Sequence, residues 1–170
     1  MTLVDDIKTL LESPRMNVKD VRTLLRVDHD ELLQVARDMF ESEGAEERRT
    51  LLKKLKPALA AHSRAEEKEV YEPLTKLAGE TRDIAYEGYV EHGLLDELIE
   101  RLSKSRKTET DEWKAHAKVL YELLQHHIDE EHAQMFDELA ERFTDEQREV
   151  MGRRFVAAKA RLAVPKVRAA

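Results

Sequence analysis

Apolar residues return every three or four positions along almost the whole chain, and no stretch shows the apolar–polar alternation of a half-buried strand. That spacing places apolar side chains on one face of a helix. Pro14, Gly44, Gly79 and the polar stretch 103–110 interrupt the pattern. The pattern therefore predicts an all-α protein built from helices that are separated by short connections.

The interruptions predict four long helices between two shorter ones. Pro57 and Pro73 fall within the second long helix, so we expect a bend or local break at one of them. Thr144 and Asp145 supply an N-cap for the last helix. The long helices are predicted at residues 17–42, 45–78, 81–102 and 111–143, and the flanking helices at 3–12 and 145–163.

Short connections favour antiparallel packing of successive helices. We therefore expect an up-down-up-down antiparallel four-helix bundle with short extra N-terminal and C-terminal helices. The core bundle is predicted at residues 17–143, and residues 1–170 are expected to form a single domain. The basic excess after Asp145 is typical of a solvated last helix.

Composition narrows the possible functions. The 29 Lys and Arg against 36 Asp and Glu give a net charge of -7, which argues against nucleic-acid binding through a basic surface. Cysteine is absent, which excludes thiol catalysis and cysteine-held metal sites, so any metal must be bound by nitrogen and oxygen. The first residues form no basic leader, and no apolar run reaches the roughly 20 residues of a membrane span. We expect a cytoplasmic protein with no membrane partner.

The histidines are placed rather than scattered, because each predicted long helix carries one on its inner face. His62 is followed four residues later by Glu66, and His127 by Glu131, which stacks each pair one turn apart on one helical face. The order His, then His-x-x-x-Glu, occurs twice at nearly the same interval. In an antiparallel bundle, a pseudo-twofold axis would bring four imidazoles and two carboxylates together. The four inner histidines are His29, His62, His92 and His127.

Such a set suits two neighbouring metal ions. Bridging carboxylates offset the repulsion between two cations, and neutral imidazoles complete the outer positions. We predict that Glu66 and Glu131 bridge and that the four histidines are terminal ligands, which leaves positions for a small molecule. The alternative is satisfied core histidines with both glutamates at the surface. Leu59 and Val70 argue against it, because they place Glu66 on the inner face.

The two motifs carry a family resemblance. The stretch from His62 to Leu74, with Tyr71 and Pro73, resembles the second-helix motif of the hemerythrin-like (HHE cation-binding domain) family. The stretch from His127 to Phe136 is similar to its fourth-helix motif, and the resemblance extends from about Asp28 to Phe136. It implies two iron ions in a non-haem, oxo- or hydroxo-bridged centre that binds or senses oxygen, peroxide or nitric oxide.

The chain also departs from the oxygen-carrying members. They resemble it but have a second third-helix histidine and a closing aspartate, where this chain has Asp96 and Glu131. This difference argues against simple reversible oxygen carriage. Asp96 is a candidate extra ligand, a partner of a metal-bound water or a solvated residue, and Glu67 is another outer candidate. Glu91 matches a Glu-His pair of nitric-oxide-response members and is predicted as a gate or proton carrier.

Other di-metal and metalloprotease patterns are missing. No glutamate has His at plus three, as ferritin-like bundles require, and no histidine is followed by Glu, as thermolysin-type proteases require. Peroxide disproportionation or peroxidase activity, iron storage or iron-centre repair, and an all-α interaction module with incidental histidines remain alternatives. Manganese and zinc also remain open as the bound metal.

His126 and His132 are expected to point away from the centre, with His132 a possible hydrogen-bond donor to it. The tyrosines are expected to pack, with one a possible partner of the metals.

Overall fold

The computed structural model describes residues 20–163. The predicted helix at 3–12 lies outside them. Within the described residues the chain is helical without strands, as predicted. None of the described helices is both long and apolar enough to cross a membrane. The elements are α1 (Val21–Glu41), α2 (Ala45–Glu66), a first π turn (Glu67–Tyr71), α3 (Glu72–Thr75), α4 (Glu80–Lys104), α5 (Asp111–Glu130), a second π turn (Glu131–Met135), α6 (Phe136–Arg142) and α7 (Asp145–Ala163).

Both π turns lie directly beside a His-x-x-x-Glu motif, within the helices predicted at 45–78 and 111–143. The first follows Glu66, and the second begins at Glu131. Helical geometry changes near Pro73 but not at Pro57, which lies within α2. Pro57 and the residue one turn before it are exposed, so the carbonyl deprived of its donor faces water. Single π turns of this kind are frequent at functional sites.

The helices form the predicted antiparallel bundle. α1 packs against α2 and α5, and α4 packs against α2 and α5. Along α2 and α4 the ion pairs Lys56 with Glu100 and Arg64 with Asp96 run in opposite chain directions. α7 packs across α1 and α2. It buries Phe155 completely, so the expectation of a solvated last helix is wrong for this face of α7.

The apolar core is divided into two clusters. One contains Leu25, Tyr71 and Phe155, and the other contains Met39 and Leu55. A layer of buried ionisable side chains lies between the two clusters along the helices. This polar layer consists of Asp28, His29, His62, Glu66, His92, His127 and Glu131. Side chains of this kind are rarely buried unless they have partners.

Asp20 joins the start of the bundle to the last helix. Its carboxylate accepts the backbone N–H of Arg22 at 2.9 Å and binds Nε of Arg148 at 2.9 Å. Burial raises the pKa of Asp20, but hydrogen bonds from Arg22 and Arg148 outweigh it and lower the pKa to about 2. The charged carboxylate is therefore stabilised in the folded chain.

We expect Asp20→Asn to lower the free energy of unfolding at pH 7 by about 1 kcal/mol, because Asn still caps the helix but loses the charge-assisted bonds. The folded pKa of Asp20 is below its unfolded value, so the contribution is present above about pH 4 and lost as the pH falls toward 2. Urea unfolding of both proteins across this range measures the difference. Asp38→Asn, at an exposed position on α1, is the control. A gap that stays constant with pH would contradict the assignment.

Candidate metal centre

The structure brings together all six side chains predicted as metal ligands. Each is at most 4% exposed, and they come from α1, α2, α4, α5 and the second π turn. His29 and His62 lie with ring centroids 4.9 Å apart, and His92 and His127 with centroids 4.8 Å apart. Each helical hairpin therefore contributes one imidazole pair, which is the arrangement expected from the sequence repeat.

The two carboxylates lie between the two imidazole pairs. Glu66 Oε2 is 3.3 Å from His62 Nε2 and 3.5 Å from His92 Nε2. Glu131 Oε2 is 3.3 Å from His29 Nε2 and 3.6 Å from His127 Nε2. Each glutamate thus approaches one histidine from each hairpin, as a bridging carboxylate must.

The donor atoms form two groups that share one residue. His29, His62 and Glu66 offer donor atoms within 4.8 Å of one another, and Glu66, His92 and His127 do the same. In the described structure, His29 Nε2, both carboxylate oxygens of Glu66 and Oε2 of Glu131 are buried without a hydrogen-bond partner. Leaving such atoms unpaired is costly, and a cation would satisfy them. The residues therefore fit two metal ions, although their role as ligands stays a prediction.

Every inner imidazole is held from behind through its Nδ1 atom. These contacts fix the ring orientation and leave Nε2 directed inward. Glu67 and Glu91, two of the predicted outer residues, supply two of the partners. The distances from Nδ1 are 2.9 Å for His29 to His132, 3.1 Å for His62 to Asp28, 3.1 Å for His92 to Glu67, and 2.6 Å for His127 to Glu91.

Asp28 and Lys159 are parts of this arrangement that the sequence reasoning missed. Asp28 Oδ2 accepts hydrogen bonds from His62 and from Lys159 Nζ, and both Asp28 and Lys159 are buried. A signal was present, because Asp28 falls on the inner stripe between Leu25 and Leu32. His132 was expected to point away and instead contacts His29, which agrees with the hydrogen-bonding role also considered for it.

Asp96, the third candidate outer residue, has a different environment. Its carboxylate binds the Arg64 guanidinium, and its side chain is 37% exposed. This places Asp96 on the surface of the bundle between α2 and α4. Among the described residues, the potential donor groups do not include Asp96, so its role as an extra oxygen ligand stays a prediction.

Without a metal ion, the buried carboxylates and imidazoles of the centre shift one another's pKa values. Burial, together with the charge of the nearby Glu66, raises the pKa of Glu131 to about 7. Burial also raises the pKa of Glu66, but His62 and the other histidines outweigh it and hold that pKa well below its usual range. Burial lowers the pKa of His62, but Glu66 and Asp28 outweigh it and raise the pKa to about 9. Metal binding therefore competes with protons at these atoms.

Tyr71 reaches the centre because Gly88 leaves room for it. The Tyr71 hydroxyl donates a hydrogen bond of 2.5 Å to Glu131 Oε1. Burial and the charge of Glu131 raise the pKa of Tyr71 well above its usual value, so the hydroxyl keeps its proton. A Cβ atom on Gly88 would lie 2.5 Å from the Tyr71 ring and hydroxyl. Tyr71 is therefore the tyrosine that the sequence left open as a partner of the centre.

We expect Gly88→Ala to lower the free energy of unfolding by about 1–3 kcal/mol, because the new methyl overlaps the buried Tyr71 ring. Gly93→Ala on the same helix is the matched control, since a Cβ there meets nothing within 4 Å. The control should gain about 0.5–1 kcal/mol, as expected for an exposed helical glycine. Denaturant unfolding measures both, and equal effects would contradict the close packing at Gly88.

Lys159→Met should cost about 3 kcal/mol, because it removes the ammonium from the buried Asp28 carboxylate and leaves that carboxylate only its contact with His62. Arg153→Met, on the exposed face of the same helix, should change stability by less than about 1 kcal/mol. The double variant Asp28→Asn with Lys159→Met should recover part of the loss, since it removes the unpaired charge. Urea unfolding of the four proteins measures these terms. Equal losses for Lys159→Met and Arg153→Met would rule out the buried pair as a stabilising contact.

Comparison with known proteins agrees with this geometry. A family model described as the hemerythrin HHE cation binding domain matches residues 20–150. No curated protein and no solved structure gives a significant match to the chain. The matched region holds both His-x-x-x-Glu motifs and all six inner donor residues. It also covers well over half of the 170 residues. The chain therefore belongs to the hemerythrin HHE cation-binding domain family.

Proposed function

We propose that this protein holds two iron ions in the polar layer and uses them to bind or sense oxygen, peroxide or nitric oxide. The observation that carries the proposal is the pair of donor groups that share Glu66. A single cation would use only one of these groups. Two cations would use both groups. Glu131 is in neither group, but its buried Oε2 atom lies 3.3 Å from His29 Nε2 and 3.6 Å from His127 Nε2, so it could serve as a donor between them.

The choice of iron rests on the donor types together with the family. Imidazole and carboxylate donors suit iron, as they suit manganese and zinc, and no cysteine is present to favour a softer metal. Family membership supports a cation site, and the resemblance of the two motifs to hemerythrin-like proteins favours a pair of irons. Iron, when bound, would supply the redox chemistry and the open coordination positions.

The size of the adjoining cavity limits the ligand. A cavity of about 20 Å³ is lined by residues that include Gly88, Glu91, His127 and Glu131. That volume has room for about one water molecule. Oxygen, peroxide and nitric oxide are small enough to enter such a space.

The protein's own side chains would orient the ligands and supply hydrogen bonds. Glu91 and Asp28 accept hydrogen bonds from Nδ1 of His127 and His62. Each Nε2 atom is thereby left available to bind a metal. The Tyr71 hydroxyl donates a hydrogen bond to Glu131 and fixes that carboxylate between the hairpins. The apolar clusters cover the layer on both sides along the helices, and the cavity beside His127 and Glu131 would give a small ligand access to it.

Metal analysis of the chain after anaerobic loading with Fe²⁺ tests the proposal. We expect two irons per chain and near-ultraviolet absorption that changes on reduction and returns with oxidant. His62→Ala and Glu66→Ala should each hold well below two irons, because each removes a donor from the shared set.

His116→Ala is the control, since His116 lies at the far end of α5 and bonds to the backbone oxygen of Glu112. It should keep both irons. Circular dichroism establishes that each variant is folded. Full iron content in both His62→Ala and Glu66→Ala, or a wild-type chain without iron, would overturn the proposal.

A further inference from the structure

A second group of potential metal donors lies outside the buried centre. Glu91, His126 and Glu130 offer donor atoms within 4.8 Å of one another. His126 Nε2 is 3.4 Å from Glu130 Oε2 and 3.9 Å from Glu91 Oε1. The His126 side chain is 60% exposed, so this outer cluster faces solvent. None of its members is among the six inner donors.

The outer cluster lies at the cavity that reaches the centre. Glu91 and Glu130 line this cavity together with Glu87, and the inner donors His127 and Glu131 line it as well. Its lining residues include four glutamates and neither Lys nor Arg. The low-dielectric walls of such a cleft strengthen its attraction for a divalent cation.

Two further contacts link the outer cluster to the buried donors. Glu131 Oε2 is buried, has no hydrogen-bond partner, and belongs to a side chain that lines the same cavity. Glu91 contacts both the outer cluster and the buried centre. Its Oε1 atom faces His126, and its Oε2 atom accepts a hydrogen bond from His127 Nδ1 at 2.6 Å. A cation bound at the outer cluster would therefore share the Glu91 carboxylate with the inner residue His127.

The dimensions of the cavity require the ion to exchange its ligands. About 20 Å³ has room for one water molecule but not for a hydrated divalent ion. The ion must lose water as it enters, and carboxylate oxygens along the wall can replace that water. A partly exposed site with one imidazole and two carboxylates can exchange ligands readily, which suits transfer better than permanent binding.

We propose that Glu91, His126 and Glu130 form a transit site that captures a divalent transition-metal cation at the surface and passes it to Glu131 and His127. This inference rests on the proposed dinuclear centre, for which it supplies the loading route. The outer site belongs to the uptake of the metal and not to its final coordination. Loss of the outer site should therefore slow loading while the final metal content stays the same.

Anaerobic uptake of Fe²⁺ by the metal-free full chain tests the loading role, with a chromogenic chelator reporting the remaining free ion. We expect the variant His126→Ala with Glu130→Gln to load about tenfold more slowly or worse, and still to reach two irons. The matched control is His116→Ala with Glu112→Gln, which removes the same residue types at positions about 15 Å and about 27 Å along the helix axis from His126 and Glu130. The control should load at the wild-type rate. Glu91 is left intact because it also orients His127.

Binding of Mn²⁺ to the metal-free chain tests the outer site by itself, with the free ion measured by electron paramagnetic resonance. The double variant should bind one Mn²⁺ fewer than the wild type and the control. Glu130→Gln alone should weaken the same site, and it serves as the test if the double variant does not fold.

The outcomes separate the two proposals. A wild-type chain that holds two irons, with equal uptake rates and equal Mn²⁺ binding in all variants, would overturn the transit site alone. A wild-type chain that does not hold two irons, but binds one Mn²⁺ more than the double variant, would overturn the dinuclear centre while supporting the outer cation site.

Discussion

The structure depends on burying a layer of ionisable side chains between two apolar clusters. Carboxylates and imidazoles lose hydration there, and each must recover it from a hydrogen bond, an opposite charge or a cation. The Nδ1 atoms of the four imidazoles have protein partners, from His132 behind His29 to Asp28 behind His62. The unpartnered atoms are concentrated on the inside, chiefly at Glu66 and Glu131. A cation held between these atoms would satisfy them, and their concentration on the inside therefore supports the proposed metal centre.

The two halves of the layer have different electrical surroundings. Behind His92 and His127 lie the carboxylates of Glu67 and Glu91. Behind His29 lies a second imidazole, and the carboxylate behind His62 is paired with the ammonium of Lys159. A carboxylate partner raises the basicity of an imidazole ligand, so two similar ligand pairs need not bind or tune a cation equally. The inner donor residues are therefore arranged almost symmetrically, whereas the residues behind them are not.

The last helix contributes to the centre as well as to the core. α7 seals one apolar cluster with Phe155, and from the next turn it sends Lys159 to Asp28. The arginine at its start, Arg148, binds Asp20 at the beginning of the bundle. Docking of this helix is thus tied to the orientation of His62, because the same aspartate accepts from both Lys159 and the imidazole.

The sequence by itself determined the parts of the protein that follow from local helical geometry. The bundle follows from the 3.6-residue period, and His62 with Glu66 follows from a four-residue spacing that stacks both on one face. The π turns could not be read from the sequence because the apolar period continues through them, although they add a residue to the local turn.

Only the tertiary structure decided which side chains on different helices bind each other. Asp96 binds Arg64 across two helices, while Lys159 crosses from the last helix to Asp28. Those choices depend on the distances between helices that are far apart in the chain. The spacing of residues within one helix carries no information about those distances.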